Sequence, residues 1–400
     1  MTMQPTPVPR RNLRRRSLLG LLGAVPVTAA GVGALTGDTG ADAQVAARPV
    51  PRSLRPGGTL DRAVRALADQ GKFSGTLLLV DGHRTVLSRS YGKADQARNI
   101  ANGPDTMFAL GSVTKLFTAV AVAQLAARGR VDYHQTLGTY LGGFPSTIAD
   151  TVTLHQLLTH TSGMGDYHAL DGYAAALATW TSTEAVLSGT LDFIRAAPLA
   201  FTPGTRHQYS NSGYTVLGGV VAAVTGQSYY DYVAEHVFAA AGMTRTAFVT
   251  RPRWKRDRGI AHPYAGGTTD VLDQRGYVGL PDGDAFSTVP DLVRFVRALR
   301  GHRLLDAADT DLLTGPKFPV AMLPPKDGKP LQAMFEAYGP EAARVGDRWE
   351  VGHTGGSTGI TANLEWYPRT GYVLGWLCNT DARELLDLGA RARLLLTAAN

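Results

Sequence analysis

Ser112-Val113-Thr114-Lys115 sets a hydroxyl and a primary amine three residues apart, at the head of a segment in which Val113, Leu116, Phe117, Val120 and Ala121 recur at helical spacing and Gly129 supplies a stop. On a helix that spacing places both groups on one face, one turn apart. Serine is a poor nucleophile until a neighbouring base takes its proton, so the pair suits acyl transfer through a covalent serine ester. A serine at a helix start also has an unpaired backbone N–H that can donate to an oxyanion. Serine is equally a favoured N-cap, so the pair alone leaves a structural reading open. The chain holds a control: Ser90-Tyr91-Gly92-Lys93 has the same spacing but follows the alternating run 85–89. Residues three apart on a strand point to opposite faces, so Ser90 and Lys93 cannot cooperate.

Two further groups fit this chemistry. Tyr209-Ser210-Asn211 lies between the loop Phe201-Thr202-Pro203-Gly204 and a helical stretch from Gly213, and of the 15 tyrosines only Tyr209 is followed by x-Asn. A phenol and an amine held together shift each other's proton affinity, and either Lys115 or Tyr209 could take the serine proton. Asn211 can both donate and accept, and so orient a substrate amide while holding Lys115. His353-Thr354-Gly355-Gly356 sits on or just after a strand from Trp349 to Gly352; small residues there let an extended substrate pair with the strand, and the Gly356 N–H is a candidate second oxyanion donor. Gly355-Gly356-Ser357-Thr358-Gly359 also matches a nucleophile elbow. That motif needs a helix directly afterwards and a later histidine, whereas Ile360, Ala362, Leu364 and Trp366 alternate as a strand and no histidine follows His353.

The positioning elements read as follows. A helix from Leu60 to Gln70 precedes a hairpin, Gly75 to Val80, a turn at Asp81-Gly82, and a return to Ser90. Helical texture then dominates from 112 to 300, at 113–128, 153–159, 183–197, 212–224, 228–241 and 289–300. Strands return after about 335, at 349–351, 360–367 and 372–379, and a helix from Ala382 to Ala398 closes the chain. This predicts an α+β fold: an antiparallel sheet built from distant segments, flanked by terminal helices, with an inserted helical lobe and the site in the cleft between them. The expected sheet lobe is 58–111 with 301–400, and the helical lobe is 112–300.

Residues 1–43 read as an export leader, with Arg10, Arg11, Arg14, Arg15 and Arg16, an apolar stretch from Leu18 to Leu35, and Ala41-Asp42-Ala43 as a cleavage-type site; Arg15-Arg16-Ser17-Leu18-Leu19 looks like a twin-arginine signal. Secretion or delivery to the cell envelope is the expectation, with no stable membrane span after cleavage. Residues 44–57, rich in Pro and Arg, read as an exposed linker. Without the leader 35 basic residues face 31 acidic ones, and the formal charge falls from +7 to +4. No basic cluster with interleaved aromatics remains, so nucleic acid is not an expected partner. Cys378, the lone cysteine, lies in the apolar run from Tyr372 and reads as a packed thiol. Neither metal nor cofactor is called for, since no H-E-x-x-H occurs.

S-x-x-K, Y-x-N and H-T-G, in that order and separated by 97 and 144 residues, are jointly far more specific than any one. With Phe108-Ala109-Leu110-Gly111, Leu157 to Met164, and Phe286-Ser287-Thr288 before Asp291-Leu292, the chain resembles the penicillin-recognising serine hydrolases: class C β-lactamases, D-alanyl-D-alanine carboxypeptidases and related esterases. The resemblance spans about residues 60 to 395. It implies Ser112 as nucleophile, Lys115 and Tyr209 as acid/base pair, Asn211 as substrate orienter, His353, Thr354 and Gly355 as the third wall, and the backbone of Ser112 and Gly356 as oxyanion hole. His160 belongs to a family string and reads as structural. Many β-lactamases of this family carry lysine where His353 stands, and histidine is largely neutral near pH 7. That favours the carboxypeptidase or esterase branch over efficient β-lactam hydrolysis, with Arg344 or Arg348 as candidates to bind a substrate carboxylate. The implied activity is an exported serine hydrolase acting on a small-molecule or peptide substrate, foremost a D-alanyl-D-alanine carboxypeptidase. Alternatives are an esterase, a weak β-lactamase, an acyltransferase to an amine, or a penicillin-binding protein without turnover.

Overall fold

A computed structural model describes residues 49–325 and 331–398. The leader read at 1–43 lies outside these residues. The first helix, α1 (Thr59–Asp69), leads into β1 (Gly75–Asp81) and β2 (Arg84–Tyr91). The helical section contains α2 (Lys115–Ala127), α3 (Thr183–Ala196), α4 (Asn211–Thr225) and α5 (Val289–Arg300). Six more strands follow: β3 (Phe318–Leu323), β4 (Gln332–Glu336), β5 (Glu341–Val345), β6 (Arg348–Ser357), β7 (Ile360–Trp366) and β8 (Tyr372–Cys378), then α6 (Glu384–Thr397). These eight strands form one antiparallel sheet in the order β2-β1-β8-β7-β6-β5-β4-β3, so its first and last strands in sequence, β1 and β8, are neighbours, and three short two-stranded ladders lie outside it among the described residues.

Strand β8 shows why its sequence is continuously apolar rather than alternating. Tyr372, Leu374, Trp376 and Cys378 pack on one face with Leu60 and Val64 of α1 and Leu385, Leu388 and Leu396 of α6. Val373 and Leu377 pack on the other with Val113, Val120 and Leu292. Both faces are covered, so both parities must be apolar, each buried aliphatic side chain stabilising the fold by about 1.5–3 kcal/mol. Gly375 lets α5 approach, because a Cβ there would stand 2.9 Å from Val289 Cγ1.

Three placements differ from the sequence expectation. Val50 and Leu54, inside the expected exposed linker, are buried in the core beneath α1 and α6, so packing begins near residue 50. Helix α5, assigned to the helical lobe, packs against β1 and β8 of the sheet. Strands β3 and β4 precede the expected return of strands at 335; β3 is an exposed edge carrying Pro319, which blunts the usual strand signature. Residues 228–241 divide into an α-helical Tyr229–Val233 and a π-helical Ala234–Ala239. Among the described residues no helix is long and apolar enough to cross a membrane.

Candidate active site

Ser112 sits in a 3-10 turn, Gly111–Thr114, that runs into α2, so Lys115 rather than Ser112 opens the α-helix. The two side chains still meet, with Lys115 Nζ 3.1 Å from Ser112 Oγ. Lys115 is fully buried, and its Nζ also donates to Asn211 Oδ1 at 2.8 Å and to the Asp282 carbonyl at 2.7 Å. Burial lowers its pKa to about 8 against the opposing pull of Asp282, Asp166 and Asp284. As a neutral amine, Lys115 keeps its two N–H bonds to Asn211 and Asp282 and turns its lone pair toward the Ser112 hydroxyl. That is the geometry of a general base.

Tyr209 and Asn211 are delivered by the entry to α4. Ser210 caps that helix, its side chain accepting from Gly213 N at 3.1 Å, and its own N–H donates to His160 Nδ1 at 3.1 Å. The His160 ring lies 4.3 Å from the Tyr209 ring, centroid to centroid, and its backbone carbonyl accepts from Gln208 N. His160 thus holds segment 208–210 in place, and burial keeps it neutral by depressing its pKa well below the ordinary histidine value. The Asn211 amide is fixed at both ends, accepting from Lys115 and donating to Asp166 Oδ2 at 2.7 Å. Tyr209 is 38% exposed, its ring centroid lies 4.8 Å from Lys115 Nζ, and desolvation raises its pKa above the ordinary value against the opposing effect of the Ser112 hydroxyl. A phenol held protonated is a proton donor, so the roles left open by the sequence divide: Lys115 suits the base and Tyr209 the acid.

The third wall is β6, which runs through His353 to Ser357, beyond where the sequence ended the strand. His353 and Gly355 are buried while Thr354 is exposed. Gly355 and Gly111 carry this contact: a Cβ on Gly355 would stand 2.0 Å from the Leu110 carbonyl and 3.0 Å from Ser112 N, and one on Gly111, at φ +49°, would stand 2.8 Å from Gly356 N. The backbone N–H groups of Ser112 and Gly356 are thereby brought to one place. Gly355→Ala is expected to push β6 off the serine turn and cut turnover by about 100-fold or more with the fold retained. Parallel ester-hydrolysis kinetics and circular dichroism would check it; near-normal rates would contradict the close packing.

Of the eight residues named from the sequence, Ser112, Lys115 and Asn211 are joined by hydrogen bonds, the Tyr209 ring lies 4.8 Å from Lys115 Nζ, and Gly355 and Gly356 pack on the Ser112 turn, with His353 and Thr354 preceding them on β6. Arg344 and Arg348 do not join them. Arg344 pairs across the ladder with Trp349, four residues or about 13 Å along β6 from His353, and its Nε donates to the Gly346 carbonyl. Arg348 is paired with Asp347. Burial depresses the His353 pKa to about 4, with Lys115 adding to the effect, so it too offers no positive charge at neutral pH. Strand β7 follows Gly359 directly, which removes the nucleophile-elbow reading of Ser357. Cys378 is buried beneath α1 and α6, away from the crevice.

Sequence reasoning missed Asp282, whose carbonyl accepts from Lys115 and whose carboxylate accepts from Tyr167 Oη at 2.9 Å and Thr215 Oγ1 at 2.7 Å. It also missed Asp166, whose carboxylate accepts from Asn211. Both lie in the loops 164–182 and 262–284, where no periodicity marks a residue's direction; the Asp-Gly turn at 282–283 was the only local signal. Among the described residues no three His, Cys, Asp or Glu side chains gather so as to hold a metal ion.

The β-lactamase family model matches residues 60–399, nearly the whole described chain. The chain belongs to the β-lactamase family. This β-lactamase-family chain is 30% identical over 275 residues to a penicillin-binding protein of Bacillus subtilis, covering 64% of this chain and 59% of that one. It is 32% identical over 232 residues to esterase EstB of Burkholderia gladioli, covering 55% and 57%. Each match thus spans just under three fifths of the relative's own length. A penicillin-binding protein from Bacillus halodurans has the same fold, with a TM-score of 0.71 at 27% identity over 83% of this chain and 98% of that one. The β-lactamase family comprises serine hydrolases, and both the B. subtilis protein and the esterase fall within the resemblance read from the three motifs.

Proposed function

We propose that this chain is a serine hydrolase working through an acyl-enzyme on Ser112. The observation that carries the reading is the single hydrogen-bonded cluster of Ser112, Lys115 and Asn211, with the Tyr209 ring centroid 4.8 Å from Lys115 Nζ. Ser112 Oγ attacks the substrate carbonyl carbon while its proton passes to Lys115 Nζ, and the oxyanion is held by the N–H groups of Ser112 and Gly356. The carbon–leaving-group bond breaks, the leaving atom takes a proton from Tyr209, and the proton on Lys115 restores the phenol. Water then repeats the sequence on the ester, releasing the acid and freeing Ser112.

The leaving-group side favours an uncharged ester or amide over a D-alanyl-D-alanine terminus. A carboxypeptidase must anchor the carboxylate of the departing residue, and His353 is neutral while Arg344 and Arg348 stand away. Two esters with one acyl group, differing only in a terminal carboxylate on the alcohol, test this. The neutral alcohol is expected to leave with a kcat/KM at least about 10-fold higher. A preference for the carboxylate would restore the carboxypeptidase reading. The arginine-rich leader at 10–16 supports action outside the cytoplasm, by export in a folded state.

A further inference from the structure

A cavity of about 300 Å³ opens from Ser112 and is walled by Tyr167, Leu177, Arg275, Asp284 and Ser357 among others, but not by Tyr209 or His353. On the acyl-enzyme reading, on which this inference rests, Tyr209 delivers the proton to the departing atom, so the leaving group lies on the Tyr209 side of the serine. The cavity on the other side receives the acyl half.

Its charge is asymmetric. At the serine end stands Asp284, whose N–H donates to the Gly111 carbonyl and whose φ of +62° is unusual for a residue with a side chain. On the wall formed by the end of β6, Arg275 Nη1 donates to Ser357 Oγ at 2.9 Å and Nη2 to the Thr358 carbonyl, tying the loop to that strand. Both acceptors are neutral, and among the described residues no carboxylate pairs with this guanidinium. Its other N–H donors remain open beside the cavity. An unpaired guanidinium held by its neighbours on the wall of a substrate cavity is pre-organised for a planar anion.

We propose that Arg275 is a specificity-determining residue that selects acyl groups bearing a carboxylate at their distal end. The substrate then lies along β6 with its carbonyl at Ser112 and Gly356, its acyl chain passing Asp284 and Leu177, and its carboxylate at Arg275. An acyl group with negative charge next to the carbonyl meets Asp284 and is disfavoured.

The test uses the full chain and two esters sharing a 4-nitrophenol leaving group: the mono-ester of adipic acid, which ends in a carboxylate, and the hexanoate, which ends in a methyl. The wild type is expected to favour the adipate by about 10-fold or more in kcat/KM, mainly through KM, and the preference should shrink as salt is raised. Arg275→Gln should remove the preference while leaving hexanoate turnover within about 2-fold, and Arg275→Lys should keep part of it. Equal losses on both esters in Arg275→Gln would reduce Arg275 to a pin for its loop, and a wild type without preference would overturn the proposal outright. Failure of the acyl-enzyme reading looks different, since neither ester would then leave an adduct on Ser112.

Discussion

Ser112→Ala is expected to lower kcat for a short-chain 4-nitrophenyl ester by on the order of 10⁵- to 10⁶-fold, the cost of removing a nucleophile whose partners cannot act without it. What remains is the effect of the oxyanion donors and of binding, because the backbone N–H at position 112 survives the substitution. The fold should be untouched. Ser112 is half-buried in a short turn, and Lys115, which loses one of its three partners, keeps Asn211 and the Asp282 carbonyl. Steady-state kinetics and a thermal melt measured together would show activity lost at an unchanged melting temperature. Residual turnover within about 10-fold of wild type would move the chemistry to another group.

Lys115→Met has the second largest expected effect, about 1,000-fold in the acylation rate, within the range for loss of a positioned general base. Methionine matches the unbranched shape of lysine, so the helix and its packing are kept. The pH profile separates this role from a structural one. With Lys115 at about 8 in the folded chain, the neutral amine is the active form. The wild-type kcat/KM should rise about 10-fold per pH unit from pH 6 and level off above about 8, and Lys115→Met should lack that limb. Stability follows the same titration. The folded value lies below the ordinary 10.5, so between about 8 and 10.5 the unfolded chain holds more protons and the wild type gains stability as pH rises. The methionine variant loses that gain. A wild-type rate flat through pH 8 would contradict Lys115 as base.

What the sequence made legible was chemistry carried on regular elements. Ser112 and Lys115 are spaced by a helical turn, Tyr209 and Asn211 bracket a helix cap, and His353 to Gly356 continue an apolar strand, so period and motif fix both position and direction. The sheet was legible at β1, β7 and β8 because burial dictates their patterns, and at half-exposed β2 through the Asp81-Gly82 turn that joins it to β1, whereas exposed, proline-bearing β3 carries little burial signal. Arg344 and Arg348 were close to His353 in sequence only; an extended ladder carried them about 13 and 17 Å along the strand. Loop residues were the real gap. Asp166, Arg275 and Asp282 are placed by backbone turns that no periodic signal reports, and two of them hold Lys115 and Asn211 while the third stands on the wall of the cavity beside Ser112.

The central claim, that Ser112 carries the acyl group, is tested most directly by locating the covalent adduct left by a fluorophosphonate and, separately, by a slowly released ester. Peptide-mapping mass spectrometry is expected to find one adduct, on the Ser112 hydroxyl, and none in Ser112→Ala. An adduct on any other residue, or one that persists in Ser112→Ala, would contradict it.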